Sequence, residues 1–223
     1  MNIPKNWTFQ SEEVAKHFDK HVREQLPWYD VATNAVAQFG RHYIPQDGVV
    51  YDIGASTGNI GNALKETLVQ RNARFTAIEQ SADMGAKYQG PPNLVVADAM
   101  AYEFESFDFA VSFLTFMFLP IGQRVVFLRR LMSCAKPGGA LVIVDKIQMP
   151  AGYIGTAFSR LTMQQKLASG ASPEAILKKE LSLAGYQRPL DPCILPKSAR
   201  TFFQVGEFMG WIIEAPEDQS DAF

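Results

Sequence analysis

The chain has 223 residues, 47% of them hydrophobic and 20% charged, with a net charge of −2 and two cysteines. That length suits one domain whose core needs no staples, the near-zero charge argues against a broad basic face for duplex nucleic acid, and Cys134 and Cys193, few and widely spaced, fit a reducing compartment. The N-terminus shows no apolar signal core, and the longest apolar run, Phe107 to Ile121, is broken by Asp108 and Pro120 and too short to span a bilayer, so the expectation is a cytoplasmic protein with no membrane contact.

In chain order, residues 1–10 read as irregular. Ser11-Glu12-Glu13 is a helix start, a capping oxygen followed by acids in the first turn. Val14, Phe18, Val22 and Leu26 then recur at helical spacing until Pro27. A second helix is expected over Asp30–Phe39, and residues 1–45 together read as an N-terminal helical lid. After the Pro45-Gln46-Asp47-Gly48 turn, strands alternate with helices. Strand 49–53 precedes a helix over 58–69, strand 74–78 a helix over 82–88. Strands follow at 93–97 and 107–113, then a helix over 121–135, the Pro137-Gly138-Gly139 turn and strand 140–146. Val, Ile, Phe and Ala fill both faces of these strands, as in a parallel sheet covered by helices. Helices over 156–168 and 172–184 follow, the latter with Ser172 as N-cap, Pro173 at N1 and Gly185 as C-cap. Strands 202–204 and 208–214 read as a closing antiparallel pair. The expected boundaries are a lid over 1–45, an α/β domain over 46–215 and a polar tail over 216–223.

The segment Tyr51-Asp52-Ile53-Gly54-Ala55-Ser56-Thr57-Gly58 is a strand that runs through a side-chain-poor turn into a helix. Counted from Gly54, the G-x-G-x-x-G spacing of a dinucleotide fingerprint fails at Ser56 and Asn59, and no Gly-Lys-Ser/Thr follows to make a P-loop. Gly54-Ala55-Ser56-Thr57-Gly58 matches the G-x-S-x-G nucleophile elbow, but that triad needs a histidine after the serine. His17, His21 and His42 all precede Ser56. What remains is an acid, then small residues around a turn that leaves backbone N–H groups free for a carboxylate, or an ordinary strand–helix turn. Acids at the next strand ends favour the ligand site: Glu79 lies where an acid accepts ribose hydroxyls, and Asp98, with Ala99 and Met100 beside it, where one accepts an adenine amino group.

These residues resemble the class I S-adenosyl-L-methionine (SAM)-dependent methyltransferases over about 49–146. Tyr51–Gly58 is similar to the first motif of that superfamily, Phe75–Glu79 to the second, Ala97-Asp98-Ala99 to the third, Phe107–Leu119 to the fourth and Leu131–Ile147 to the fifth. The resemblance implies an α/β, Rossmann-like class I methyltransferase fold: a mostly parallel seven-stranded sheet with an N-terminal helical lid. Over nearly the full length the chain resembles the carboxy-SAM synthase branch, which makes carboxy-SAM for tRNA wobble-uridine modification. Val14-Ala15-x-x-Phe18-Asp19-x-x-Val22, Pro27-x-Tyr29 and Phe203-Gln204 with Phe208 carry that likeness. Between Asp145 and Gly185 the chain is shorter than that branch, where the resemblance implies a helix and an Arg that clamp the cofactor carboxylate. Arg160 does not align to that role, so ordinary SAM is the preferred cofactor.

The implied cofactor-binding set is Tyr29, Asp52, Gly54, Ala55, Ser56, Gly58, Glu79, Gln80, Asp98, Ala99, Met100 and Ser112, with Tyr29 closing the pocket from the lid and Ser112 near the sulfonium. No catalytic residue is assigned, since methyl transfer from a sulfonium rests mainly on alignment. The expected activity is a SAM-dependent methyltransferase acting on a small-molecule or RNA-linked acceptor. The alternatives are a carboxy-SAM synthase-like enzyme, a non-catalytic SAM-binding subunit and an NAD-dependent enzyme, the last disfavoured by the glycine spacing. A homodimer is compatible with the chain, and no metal is expected. Ser112-Phe113-Leu114-Thr115-Phe116 replaces the Asp/Asn-Pro-Pro-aromatic motif of base-amino methyltransferases. Cys193 reads as a buried structural thiol, and His17 and His21 read as solvated.

Overall fold

The computed structural model describes residues 3–216, so the tail expected over 216–223 lies, beyond residue 216, outside the described residues. Seven strands form one sheet in the order β3-β2-β1-β4-β5-β7-β6. Strands β1 (Val49–Ile53), β2 (Arg74–Glu79), β3 (Leu94–Val96), β4 (Phe107–Phe113) and β5 (Ala135–Lys146) pair in parallel. β6 (Arg200–Val205) and β7 (Phe208–Glu214) are a hairpin, and β7 runs antiparallel to β5. The mostly parallel sheet and the closing antiparallel pair are those expected from the sequence.

Alternation along each strand sends side chains to two cores. Val50, Phe109, Val111 and Val142 face α2 (Tyr29–Tyr43) and α3 (Asn59–Gln70); Tyr51, Phe107, Ala110 and Ile143 face α5 (Ile121–Cys134). Burial on both sides explains the continuous apolar runs. Ala32 and Val36 of α2 are fully buried in the first core. That helix therefore belongs to the covering layer, with only its first residue, Tyr29, reaching the cavity at the strand tips, which α1 (Glu12–Gln25) and the segment before it roof over.

Several elements differ in extent from the sequence expectation. The helix expected over 82–88 is a single turn, α4 (Ala82–Gly85): beyond it the Lys87 and Tyr88 amides bond to the Met84 and Gly85 carbonyls three residues back, and Tyr88 and Gly90 then pack against Gly58. The Pro137-Gly138-Gly139 turn is a bulge inside β5: pairing skips from Phe107–Ala135 to Phe109–Ala140, and Gly138 takes φ +72°. Lys136 Nζ is 2.7 Å from Asp108 Oδ2 at that bulge, and the same oxygen accepts the Val49 amide at 2.8 Å. The helix expected from residue 156 begins at Tyr153. With α7 (Pro173–Ser182), whose N-cap Ser172 accepts the Ala175 amide, this α6 (Tyr153–Ala168) forms a hairpin inserted between β5 and β6.

Candidate active site

The chain reverses direction in strand order between β1 and β4, and in open α/β sheets the crevice outside the carboxyl ends at that switch point receives ligands. Here the crevice is a cavity of about 280 Å³. Its floor is Asp52, Gly54, Ala55 and Ser56 after β1, Glu79 and Gln80 after β2, Ala97, Asp98 and Ala99 after β3, and Phe113, Leu114 and Thr115 after β4. Its roof is Trp7, Phe9, Phe18, Val22 and Tyr29. Nine of the residues singled out in the sequence therefore line one cavity: Tyr29, Asp52, Gly54, Ala55, Ser56, Glu79, Gln80, Asp98 and Ala99.

The turn after β1 is built by positive φ. Gly54 has φ +78° and Ser56 φ +52°, the latter a strained value for a residue with a side chain. A Cβ on Gly54 would collide with Thr115 Oγ1, which itself donates to the Ile53 carbonyl at 3.0 Å. The loop's amides are less free than its sequence suggests. Those of Gly54 and Ala55 both donate to the Ile78 carbonyl, that of Gly58 to Ala55, and that of Ser56 to Glu79 Oε2 at 2.7 Å. Glu79 Oε1 accepts the Ser81 amide at 2.8 Å. Burial raises the Glu79 pKa, and the amides of Ser81 and Ser56 oppose it. A carboxylate has about four lone-pair sites, so after two amides Glu79 keeps acceptor capacity toward the cavity.

Asp52 is 1% exposed and neither carboxylate oxygen is hydrogen-bonded. Burial pushes its pKa up to about 7; the Gly61 amide, short of bonding geometry, opposes the shift and the Glu79 charge adds to it. Ser56 Oγ is likewise buried without a partner. Asp98 is exposed and spends one oxygen on the Met100 amide at 2.9 Å. Tyr29 meets Phe113 edge-on at 5.2 Å between centroids, and the Arg23 guanidinium lies over its ring at 5.3 Å. Burial drives the Tyr29 pKa up, so its hydroxyl stays protonated.

Three expected site residues stand elsewhere. Gly58 (φ +94°) caps α3 and faces Tyr88 and Gly90, where any Cβ would press on the backbone. Met100 packs into the core beside α5. Ser112 is fully buried with an unbonded Oγ, and strand alternation turns it, like Ala110, toward α5 and away from the cavity; Leu114 and Thr115 take the place expected for it. Two other readings are corrected. His21 is buried, stacks on Trp7 at 5.9 Å and lines the cavity, while His17 alone is half exposed. Cys193 is exposed rather than buried, because it sits in the surface turn capped by Asp191.

Some site features left no sequence signature. Asp19 Oδ1 accepts from Thr57 Oγ1 and Asn59 Nδ2, both at 2.6 Å, and Arg23 Nη2 donates to Asn59 Oδ1 at 3.3 Å. This network fastens α1 to the loop after β1. Trp7 donates its amide to the Ser182 carbonyl, and Ser81 Oγ donates to the Phe9 carbonyl at 2.6 Å, which ties the N-terminal segment to α7 and α4. The remaining wall of the cavity carries Lys146, Lys166, Lys179 and Glu180, contributed by β5, α6 and α7.

Residues 50–139 match a family described as a methyltransferase domain. The chain is 28% identical over 192 residues to carboxy-S-adenosyl-L-methionine synthase of Staphylococcus epidermidis, with 84% of each chain covered. It is 26% identical over 187 residues to that of Shewanella woodyi, covering 80% of this chain and 77% of the relative. Among solved structures it resembles the plantazolicin methyltransferase BpumL in complex with SAH, with a TM-score of 0.59, 12% identity and coverage of 91% and 89% of the two chains. Human N-acetylserotonin methyltransferase in complex with SAM gives a TM-score of 0.58 at 11% identity, covering 93% of this chain and 57% of the other. At such identities the structural likeness establishes the fold, the Rossmann-like class I methyltransferase architecture.

Proposed function

We propose that this chain binds SAM across the tips of β3, β2, β1 and β4 and transfers its methyl group to an acceptor that enters beside α6 and α7. The observation that carries this reading is the convergence of Asp52, Glu79 and Asp98, from three strand ends, on one cavity at the switch point. The methyltransferase-domain match over 50–139 supports it. The residues fit the cofactor. Both Asp52 oxygens and Ser56 Oγ are buried polar atoms without a protein partner, which a polar ligand would supply. The loop at Gly54 presents backbone with no side chain to obstruct approach.

In this reading Glu79 accepts the ribose hydroxyls and Asp98 the adenine amino group, while Gly54, Ala55, Ser56 and Asp52 surround the methionine moiety. Bound SAM would supply an electrophilic methyl group on a sulfonium with a neutral leaving group. The protein's work is then to align the acceptor and exclude water. Tyr29 and Phe113 flank the reacting end, and Trp7, Phe9 and Phe118 close the roof. In this reading the lid is α1 with the segment before it and Tyr29 at the start of α2, a smaller unit than the span 1–45.

A carboxy-SAM synthase-like activity is the second reading, supported by the two curated relatives and their coverage. Mass spectrometry of the nucleoside that co-purifies with the protein separates carboxy-SAM from SAM. Calorimetric titration with SAM and S-adenosylhomocysteine tests the site. Turnover of SAM to S-adenosylhomocysteine, run separately with small-molecule and RNA-linked acceptors, identifies the acceptor class, and absence of turnover with every acceptor would favour a non-catalytic subunit. Among the described residues no helix is long and apolar enough to cross a membrane. A cytoplasmic location is part of the same reading, supported by the free thiols of Cys134 and Cys193. Sedimentation analysis tests the homodimer.

A further inference from the structure

The cavity has two electrically different ends. Asp98 and Glu79 stand at the tips of β3 and β2, while Lys146 stands at the tip of β5. In the order β3-β2-β1-β4-β5, β3 and β5 are four strand spacings apart, roughly 19 Å. An adenosine held over β2 and β3 would leave its sulfonium near β1 and β4, so the wall beside β5 lies beyond the methyl group, on the acceptor's side.

Three lysines gather on that wall. Lys146 and Lys166 are 12% and 7% exposed, and Lys179 lays its ammonium on the face of the Trp7 indole. Lys166 Nζ is 2.7 Å from Glu180 Oε1, while Lys146 Nζ is 3.7 Å from Glu180 Oε2 and 3.7 Å from Glu207 Oε2. Lys146 and Lys166 thus pair with two carboxylates, of which only Glu180 lines the cavity, while Lys179 rests on the indole. Burying charge without full compensation is costly. Burial first and the Lys166 charge second lower the Lys179 pKa to about 5, with Glu180 opposing, so without a further anion its amine is neutral near pH 7. His21 falls to about 4 by burial and by Lys179. Beside these groups, Trp7 Nε1, His21 Nε2 and Gln25 Oε1 are buried without hydrogen-bond partners. Three lysine amines and the unpaired Trp7 Nε1–H converge on one wall, and an anion there would pair the indole N–H and let Lys179 hold its proton.

We propose that Lys146, Lys166 and Lys179 form an anion subsite that receives a carboxylate or phosphate group carried by the methyl acceptor. The three lysines, Lys179 taking up its proton as the anion binds, anchor the acceptor at one end, so that its nucleophilic atom is presented toward β4, and Glu180 holds the lysines apart and in place. This inference rests on the SAM reading for its geometry, and its test keeps the two separable. The protein, loaded with S-adenosylhomocysteine at low ionic strength, is titrated with inorganic phosphate and, separately, with acetate, with calorimetry and tryptophan fluorescence as readouts. Saturable binding of one anion per chain is expected. Lys166→Met should weaken it by about tenfold or more, the loss expected when a charged hydrogen bond is removed. Glu180→Gln should strengthen it several-fold, because it removes the competing carboxylate. A merely structural cluster would not give opposite signs. Affinity for S-adenosylhomocysteine, measured in each variant, reports an intact fold and should stay constant. Preferred phosphate or acetate binding identifies which anion the acceptor carries. No saturable binding, or binding indifferent to both substitutions, overturns the subsite. So does competition between the anion and S-adenosylhomocysteine, which would assign the lysines to a carboxylate on the cofactor itself. If S-adenosylhomocysteine fails to bind the wild-type protein, the SAM reading falls, and the same titration of the unloaded protein still decides the subsite.

Discussion

The backbone amide of Ser56 donates to Glu79 Oε2 at 2.7 Å, so the left-handed turn after β1 is fastened to the acid that ends β2. One carboxylate thus shapes the loop and faces the ligand cavity. Glu79→Ala should weaken S-adenosylhomocysteine binding by about 10- to 100-fold, corresponding to roughly 1.5–3 kcal/mol for hydrogen bonds to a charged group. Glu79→Gln keeps one acceptor oxygen and should lose less. Calorimetry on both variants checks the order, and equal, unchanged affinities would remove Glu79 from the site.

Gly54 combines φ +78° with a Cβ position already filled by Thr115. Gly54→Ala should therefore destabilise the protein by about 1–3 kcal/mol, the scale of a backbone forced into a sparsely populated region. Each kcal/mol lowers the thermal midpoint by about 2–4 °C at this chain length. Adding Thr115→Ala should restore part of the loss by relieving the collision while leaving the φ strain. Thermal melts of the single and double variants measure both, and a fully additive loss would contradict the contact.

Asp52 gives a pH signature. Its folded pKa of about 7 lies above the ordinary carboxyl value of 3.8, so the native state holds a proton that the unfolded chain releases. The stability this contributes is present below pH 4 and is lost as pH rises through 7. Asp52→Asn removes that loss. Urea unfolding should show the variant gaining on the wild type between pH 4 and pH 8, by as much as about 4 kcal/mol for a three-unit shift. A difference that is flat with pH would mean that Asp52 is ionised in the fold. Comparison with the variant isolates this group from Asp145, whose burial also pushes its pKa up to about 7.

Asp19 joins α1 to Thr57 and Asn59. Asp19→Ala should leave the sheet intact and loosen the roof. Amide exchange should accelerate over residues 14–22 of α1 and remain unchanged in β1 and β4. Equal protection of α1 in both proteins would show that apolar contacts alone hold the roof closed.

The strand–helix alternation, the glycine turn and the acids at successive strand ends were legible in the chain because they are local. Each rests on the period of apolar residues, a turn that only small residues allow, or a polar residue that stops a buried strand. Asp52, the small residues Gly54, Ala55 and Ser56, Glu79 and Asp98 could be placed on one crevice from that pattern, whereas Gly58 could not. What occupies the loop's amides, the true extent of α4, the direction of Ser112 and the burial of His21 depended on contacts between distant segments. The lysine wall is the clearest case. Lys146, Lys166 and Lys179 have no shared spacing, and each reads singly as a solvated side chain. They meet only because the α6–α7 hairpin folds back over the tip of β5, and charge brought together from three elements carries no sequence period by which it could be read.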